Sequence, residues 1–365
     1  MHPQFRVGGV TGAVVLDGPN SRALECEIVD VAGRTTDTCS IMLDDRNAEL
    51  AIPPVGVTIS VAMGYLESGL YPMGLFIVDE VTVSGWPRSM IIKAHGADLT
   101  KEFKQARTQD YQHKNGEQIV GEIAARNGWE SMVLGPFAAF TFGYIAQTEE
   151  SDANFLTRLG LKFDSVAKVT NGKLVFVKQG MGMSASGLSL GTAIARYPDN
   201  VIEYEAKLKQ RPAHKDTVGA WWDKAPGERV EEKKNPLLTG SLAAGGGGPL
   251  SVRPPGTATF KLPQVFPDGQ KEAEATSQAR ADKLARDEGE LNITIIGNPG
   301  IVSQTPLQVV NVRPDIDGMW SIKTVVHTIN SCGFKTMIQA ELPGGAAGGG
   351  GGGDGGANPL LGGNL

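Results

Sequence analysis

The sequence is short of the residues that build disulfide frameworks and metal sites. Only three of its 365 residues are cysteines, Cys26, Cys39 and Cys332, and no C-x-x-C pair occurs. An odd, scattered set favours reduced thiols in a protein made in a cytoplasm. The five histidines are equally dispersed, and none stands at a ligand spacing from another histidine or a cysteine. We therefore expect no structural zinc site and assign no metal-ligating residue.

Long apolar runs and an excess of positive charge are also missing. No stretch approaches the roughly 20 apolar residues of a membrane-spanning helix. Residues 1–6 lack the charged start and apolar core of a signal peptide. The formal net charge of −6 argues against a dedicated nucleic-acid-binding protein and against sequence-specific recognition. It does not exclude a passage for DNA, because a lumen that must not hold DNA can be neutral or acidic.

Short strand patterns fill the first part of the chain. Apolar and polar residues alternate in several runs of five to nine residues, and Gly85-Trp86-Pro87 turns the chain between the last two. The predicted strands are 24–30, 38–44, 57–63, 75–83 and 90–94. Such a series is typical of a sandwich or a small barrel. We predict a mostly β protein of the α+β class, with a first small β-barrel domain over residues 1–98.

Helical patterns appear after residue 98. A helix is predicted to begin at Gly116, with apolar residues on one face and a left-handed stop at Asn127-Gly128. Further helices are predicted at 99–104 and 149–161, and a strand is predicted at 173–178. We interpret residues 99–180 as a mixed α/β insert domain.

A second β-rich region follows. Its predicted strands are 201–208 with 217–222 as partner, then 291–296, 307–312, 320–329 and 336–342, and its helix is 272–286. These define a second β-barrel domain over residues 181–343, with a Gly/Pro-rich linker at 231–258. The Gly-rich tail at 344–365 cannot bury enough apolar surface to fold alone.

Two segments of the chain resemble each other. Gly74, Phe76 and Val81 have counterparts at equal offsets in Gly318, Trp320 and Val325. Both segments then reach a Gly-aromatic pair and a Met-Ile pair followed by alanine, with small differences in length. Amphipathic hairpins share such a pattern by chance. The alternative is a duplication that gives two related barrels in one chain.

The densest carboxylates of any predicted helix lie in the stretch 147–160. Thr148 or Ser151 can cap the helix, and Glu149, Glu150 and Asp152 lie where the positive end of the helix dipole favours anions. A pair of catalytic carboxylates is the competing interpretation, and nothing nearby in the sequence supports it.

Three other motifs match functional patterns only in part. The glycines at 180–187 have the spacing G-x-G-x-x-x-x-G rather than a dinucleotide loop, and favour a linker. Ser165 and Lys168 match S-x-x-K without its companion motifs. Trp221 and Trp222 suit cross-strand packing better than a binding surface. We assign no catalytic and no cofactor-binding residue, and expect no cofactor.

The stretch QTxESDxxFLxRL at 147–159 also resembles a signature of the phage late-control D family. GLYPMGxFxVDEV at 69–81, DTxSIxLD at 37–44 and the pair Ala97-Asp98 resemble further segments of that family. The resemblance covers roughly residues 20–342, and the order of the motifs makes it specific. Members of the family are baseplate hubs of contractile tails.

The resemblance implies a structural protein of the virion tail baseplate that is made in the host cytoplasm. Its implied partners are two further copies in a homotrimer, the tail tube protein, the tail spike protein and baseplate wedge proteins. The tape measure protein is an additional candidate. Such a hub would join a sixfold tube to a threefold spike, and two related β domains per chain would supply six similar units from three chains.

Two other functions remain as alternatives. A hub-associated peptidoglycan hydrolase would need a placed acid/base pair or a metal site. A type VI secretion spike-like component would share the hub architecture, although the sequence shows no long repetitive extension of the kind that such spikes append.

Overall fold

The computed structural model describes residues 2–9, 16–17, 22–33, 36–97, 102–170, 172–180, 182, 190–208, 214–223, 227–234, 258–266, 269–287 and 289–343. The strands of the first half are β1 (Pro3–Gly9), β2 (Leu16–Asp17), β3 (Ala23–Val31), β4 (Thr38–Asp44), β5 (Thr58–Tyr65), β6 (Gly69–Ser84), β7 (Ser89–Gly96), β8 (Ala106–Asn115), β9 (Glu130–Leu134), β10 (Thr141–Ser151), β11 (Ser165–Thr170) and β12 (Lys173–Lys178). Those of the second half are β13 (Ala193–Arg196), β14 (Val201–Leu208), β15 (His214–Asp223), β16 (Glu228–Lys234), β17 (Ala258–Phe266), β18 (Gly289–Ile296), β19 (Pro306–Val310), β20 (Gly318–Asn330) and β21 (Gly333–Glu341).

In the described ranges, four α-helices accompany the strands: α1 (Gly116–Arg126), α2 (Pro136–Ala139), α3 (Asp152–Phe163) and α4 (Gln270–Arg286). Among the described residues, no helix is long and apolar enough to cross a membrane. The prediction of a mostly β protein is confirmed. In place of the helix predicted at 99–104, the described part forms a single 3-10 turn, Glu102–Lys104.

One large sheet runs through both ends of the chain. Its strands lie in the order β14-β18-β21-β20-β3-β4-β7-β6-β5-β1-β2, and β13 pairs with β19, which pairs with β20. The sheet therefore crosses from the second half of the sequence to the first where β20 pairs antiparallel with β3. Within the part of the chain that the structure describes, the path stays open and no closed barrel is found.

The two halves of this sheet have the same strand order. The first half reads β3-β4-β7-β6-β5-β1 and the second reads β14-β18-β21-β20-β19-β13, each taken in the same chain order. Among these six pairs of equivalent strands, only the last pairing changes direction, because β1 runs antiparallel to β5 whereas β13 runs parallel to β19. β2, which pairs with β1, has no counterpart among the described strands of the second half.

The pairing registers of the two halves also coincide. Residues 74–77 of β6 pair with β5, and residues 318–321 of β20 pair with β19 in the same order. The bulge between Val78 and Glu80 recurs between Ile322 and Thr324, and the β3–β4 bulge recurs between β14 and β18. Gly74 and Gly318 adopt φ of 127° and 138°. The segments compared in the sequence thus occupy equivalent places, although the register equates Met337 with Ile91 rather than Met90.

Each half of the sheet covers its own apolar core. The first core contains Ile28, Ile41, Met63, Phe76 and Met90, all buried. The second is built around Trp320, whose indole N–H donates to the Ile316 carbonyl at 2.9 Å. In both halves the inward residues alternate along the strands with half-exposed ones, which is why the period-two pattern in the sequence predicted these strands well.

The region between the halves forms a third core. Sheets β10-β8 and β11-β12-β9 pack with α1 and α3 around a cluster of aromatic rings, including Phe137, Phe142 and Phe163. Helix α1 begins as predicted, since Asn115 and Gln118 form a reciprocal capping box with distances of 2.8 and 2.9 Å. It ends before Gly128, whose φ is 75°.

A small sheet, β16-β15-β17, is inserted between β14 and β18 and packs against α4. The predicted pairing of 201–208 with 217–222 is wrong, because β14 pairs with β18 and β15 pairs with β16 and β17. Residues 231–234, placed in the predicted linker, form the end of β16, where the charged run alternates between exposed and half-buried positions. Residues 235–257 and the tail 344–365 lie outside the described residues.

The left-handed glycine in β6 gives a test of the fold. We expect Gly74→Ala to lower the free energy of unfolding by about 1–3 kcal/mol, because φ near 127° strains any side chain even where space is free. Gly121→Ala is the matched control. Gly121 lies inside α1, its added Cβ would meet only Ser131 Oγ at 3.6 Å, and the change should stabilise by about 0.5–1 kcal/mol. Urea denaturation measures both, and equal effects would contradict the assigned backbone conformation.

Candidate functional site

The stretch 147–160 forms a strand end and a helix start. β10 continues to Ser151, whose side chain accepts a hydrogen bond from Asn154 N at 3.2 Å and caps α3. Of the two predicted caps, Ser151 is therefore correct and Thr148 is wrong. The predicted start at residue 149 is also wrong, because β10 keeps pairing with β8 past an irregularity at Glu149, whose φ is 48°. Glu150 binds Arg158 instead of facing the helix end.

Asp152 is the only one of the three acidic residues that is fully buried. Its carboxylate accepts hydrogen bonds from Arg126 Nη1 at 3.0 Å and from Gln147 Nε2 at 2.9 Å. Arg107 Nε lies 3.4 Å away. Two cations thus compensate the charge of a carboxylate that is fully buried, and an amide adds a hydrogen bond. This arrangement ties α3 to α1, β8 and β10.

Lys168 on β11 joins the insert to the first half of the large sheet, at an aspartate that also binds the second half. Its Nζ lies 2.6 Å from Asp30 Oδ1 and 3.0 Å from Asp37 Oδ2. Asp30 also accepts hydrogen bonds from Ser303 N at 2.7 Å and Ser303 Oγ at 2.8 Å. The S-x-x-K match is therefore a coincidence of letters, since Ser165 Oγ donates to the Phe163 carbonyl at 3.1 Å and Lys168 is held by two carboxylates.

The pKa values of Asp30, Asp37 and Lys168 are all shifted at this junction. Burial would raise the pKa of Asp30, but Lys168 and the Ser303 hydrogen bonds hold it below its usual value. Burial raises the pKa of Asp37 to about 6, against the opposing effect of Lys168, and the charge of Asp30 adds to the rise. Burial alone would lower the pKa of Lys168, but the neighbouring carboxylates of Asp30 and Asp37 outweigh that effect, so its pKa is raised.

Helix α4 provides a second set of ties to the insert. Asp282 accepts from Lys178 Nζ at 2.8 Å, Glu272 pairs with Lys162, and Arg286 forms two hydrogen bonds with Asp164. Arg286 Nε also lies 3.0 Å from Glu341 Oε1 on β21. Asp164 is the left-handed residue that ends α3. The end of α3, α4 and β21 are therefore held together by buried opposite charges.

The described residues give little support for bond chemistry. They contain no group of three histidine, cysteine or acidic side chains that could hold a metal ion. A cavity of about 130 Å³ lies beside Arg286, Glu290, Lys323 and Glu341. Its carboxylates are already engaged, Glu341 by Gln179 at 2.7 Å and Glu290 by Gln339 at 2.7 Å. A glycan site would need a larger cleft and an unengaged carboxylate pair.

The remaining unusual feature is the set of open strand edges. β14 ends the large sheet and pairs only with β18 among the described strands. The last residues of β6, 80–84, pair with β7 on one side and with no described strand on the other. Open edges offer unpaired backbone donors and acceptors to another chain. Sequence reasoning missed these edges, because strand order is invisible in a period-two pattern.

Comparison with known proteins agrees with the topology. No family model matches the chain. A probable baseplate hub protein of Escherichia phage P2 is 28% identical over 355 residues, which span 88% of this chain and 89% of the relative. The chain is related to phage baseplate hub proteins. The relation predicted from the motifs at 147–159, 69–81 and 37–44 is thereby confirmed.

Solved structures share the fold of this chain. The 43 kDa tail protein of prophage MuSo2 from Shewanella oneidensis matches with a TM-score of 0.66 at 14% identity, over 93% of this chain and 98% of that one. An E. coli type VI secretion component, described as structurally similar to the T4 bacteriophage tail proteins gp27 and gp5, matches with a TM-score of 0.53 at 10% identity. That match covers 93% of this chain and 76% of the E. coli chain.

The buried carboxylate of α3 generates a stability prediction. Replacing Asp152 with alanine should lower the free energy of unfolding by about 3 kcal/mol, because Arg126 and Arg107 lose a buried counter-charge. Glu117→Ala, which removes an exposed acid from the first turn of α1, should cost less than about 1 kcal/mol. Urea denaturation followed by circular dichroism would compare them. An Asp152 variant as stable as the Glu117 variant would refute the buried tie.

The Lys168 junction generates a pH prediction. The pKa of Asp37 is about 6 in the folded chain and lower in the unfolded chain, so the folded state binds the proton more tightly. Wild-type stability should therefore fall as pH rises from 4 to 6, relative to Asp37→Asn, which cannot ionise. Denaturation midpoints of both proteins at each pH provide the measurement. A difference between them that does not change with pH would contradict the shifted titration.

Proposed function

We propose that this protein is a structural hub of a phage tail baseplate or of a tail-like particle. The observation that carries the proposal is the large sheet, whose two halves share strand order, register and bulges. The hub relationship supports it independently. The protein acts by geometry, holding other components in position, and its place is the virion tail baseplate.

In this proposal the two halves are related β-barrel-type units of a ring. Three copies supply six such units, which match a sixfold tail tube on one side and a threefold spike on the other. The tube protein, the spike protein and the wedge proteins are the proposed partners, with the tape measure protein as an additional candidate. We retain the division into domains at 1–98, 99–180 and 181–343, followed by the tail 344–365.

The three separate apolar cores support this division into domains. The first and second halves of the sheet each have their own buried cluster, and the insert has a third. The insert is tied to the sheet through Lys168 and through α4. We propose that the ring-forming sheet carries the symmetry, whereas the insert and the β16-β15-β17 sheet decorate it and contact neighbouring components.

A type VI secretion spike-like component is the second candidate. The match to the E. coli component at a TM-score of 0.53 favours it, since that protein belongs to a secretion system. The higher TM-score of the Shewanella prophage tail protein and the identity to the P2 hub favour the phage tail. A hydrolase lacks a supporting observation among the described residues, and we propose no enzymatic activity.

The mass of the assembled protein tests the proposal. Light scattering on the purified chain, alone and with the spike protein of the same particle, should give three times the chain mass in at least one condition. A complex with two or four copies would replace the threefold adaptor with another geometry. A chain that remains monomeric in both conditions would overturn the proposal, and peptidoglycan cleavage would then be the next assay.

A further inference from the structure

We infer that the open edge of β6 in one copy pairs antiparallel with the open edge of β14 in a second copy of this chain. The pairing would repeat the β20–β3 seam that already joins the two halves within one chain. The inference rests on the proposed function in one respect, namely that copies of the chain associate, and it specifies which residues meet.

The internal seam provides the template. β20 pairs with β19 through its first residues and with β3 through Thr324–Asn330, while β21 lies along its other side. β6 is its counterpart, with β5 along its first residues and β7 along its other side. Residues 80–84 of β6 therefore occupy the place that binds β3 in the second half, and no described strand lies there.

The counterpart of β3 is equally open. β3 lies between β4 and β20, whereas β14 lies beside β18 only. The bulge of β3 between Ala23 and Glu25 recurs in β14 between Val201 and Glu203. The same backbone path is thus present at both places, and one of the two lacks its second neighbour.

Exposure of equivalent side chains points to the same missing partner. His327 in the seam is fully buried, whereas Val83, its counterpart in β6, is 49% exposed. Cys26 in the seam is fully buried, whereas Tyr204, its counterpart in β14, is 45% exposed. Apolar or bulky side chains at both open edges would lose this exposure if the two edges met.

The loop that closes the internal seam has an exposed counterpart. In the second half, the backbone of Gln304 and Thr305 bonds Ile322, and Gly56 and Val57 bond Val78 in the same way in the first half. The loop 297–305 then covers the seam, because Ser303 binds Asp30 and the Ile301 carbonyl lies 3.0 Å from His327 Nε2. In the equivalent loop 45–57, Ile52 and Val55 are 64% and 66% exposed.

The register of the proposed pairing follows from the equivalences. In the seam Val326 lies opposite Val29 and Thr328 lies opposite Glu27. The partners of β6 on β7 and of β14 on β18 then place Thr82 opposite Lys207, and Ser84 opposite Glu205, of the second copy. The hydroxyl–carboxylate pair Thr328–Glu27 would recur as Ser84–Glu205.

The two edges do not pair with each other within one chain. Among the described strands β14 pairs only with β18, residues 80–84 of β6 pair only with β7, and the sheet between them stays open. The contact is also heterologous, since each copy offers one edge of each kind. Such contacts generate closed rings or filaments rather than twofold dimers.

Cysteine cross-linking between two differently marked chains tests the register. Both full-length chains carry Cys332→Ser, which removes the exposed native thiol, while Cys26 and Cys39 stay buried. One chain carries Thr82→Cys and the other Lys207→Cys, and they are mixed, assembled and oxidised. The control mixture replaces Lys207→Cys with Glu203→Cys, on the same strand and four residues away, about 13 Å along β14.

We expect a covalent dimer in the first mixture at about tenfold or more the yield of the control, because disulfides tolerate only short Cα separations. Oxidation of either chain alone should give no dimer. If light scattering shows an oligomer but the two mixtures cross-link equally or not at all, the β6–β14 pairing is overturned while the hub proposal stands. A chain that stays monomeric at every concentration, with and without the spike protein, overturns both.

Discussion

Strand pairing across the β20–β3 seam is the interaction on which the rest of the structure depends. It joins the two halves into one sheet by pairing residues that are 293 (324 − 31) to 305 (330 − 25) positions apart, so that backbone hydrogen bonds rather than a linker set the relative position of the halves. The Asp30–Ser303–Lys168 contacts lie beside this seam and attach the insert to it. A change that opened the seam would therefore release both halves and the insert together.

A few buried charges tie together elements that pack against one another. Asp152, Asp164, Asp282 and Arg286 are buried and paired, and each ties elements that no shared sheet connects. Buried pairs of this kind add little net stability. They do raise the free energy of alternative arrangements, because a displaced partner leaves a buried unpaired charge. This suits a protein whose proposed role is to hold other components at set positions.

Much of the fold could be read from the sequence, and the reason is local. Strands with one buried face have apolar residues at every second position, which is visible in the sequence. The start of α1 is likewise visible, because Asn115 and Gln118 have the spacing of a capping box. The start of α3 was misplaced because an irregularity at Glu149 let β10 run on through acidic residues that look like a helix start. The Lys168–Asp30 contact spans 138 positions and leaves no local trace, and neither do the open edges. The likeness of the two halves was visible through Gly74 and Gly318, since a backbone with a positive φ admits few other residues.

The outermost strands are where the two halves part company. β3–β7 agree with β14 and β18–β21 in direction and register, but β1 runs antiparallel to β5 whereas β13 runs parallel to β19. Suppose that copies of this chain surround a symmetry axis, so that each copy contributes two equivalent half-sheets. A neighbouring protein that contacted only the matched strands would then meet the same surface at every half-sheet. A neighbouring protein that contacted β1 or β13 would meet the same surface only once per chain. The direction of a single strand would thus halve the number of equivalent binding surfaces on that side of the assembly.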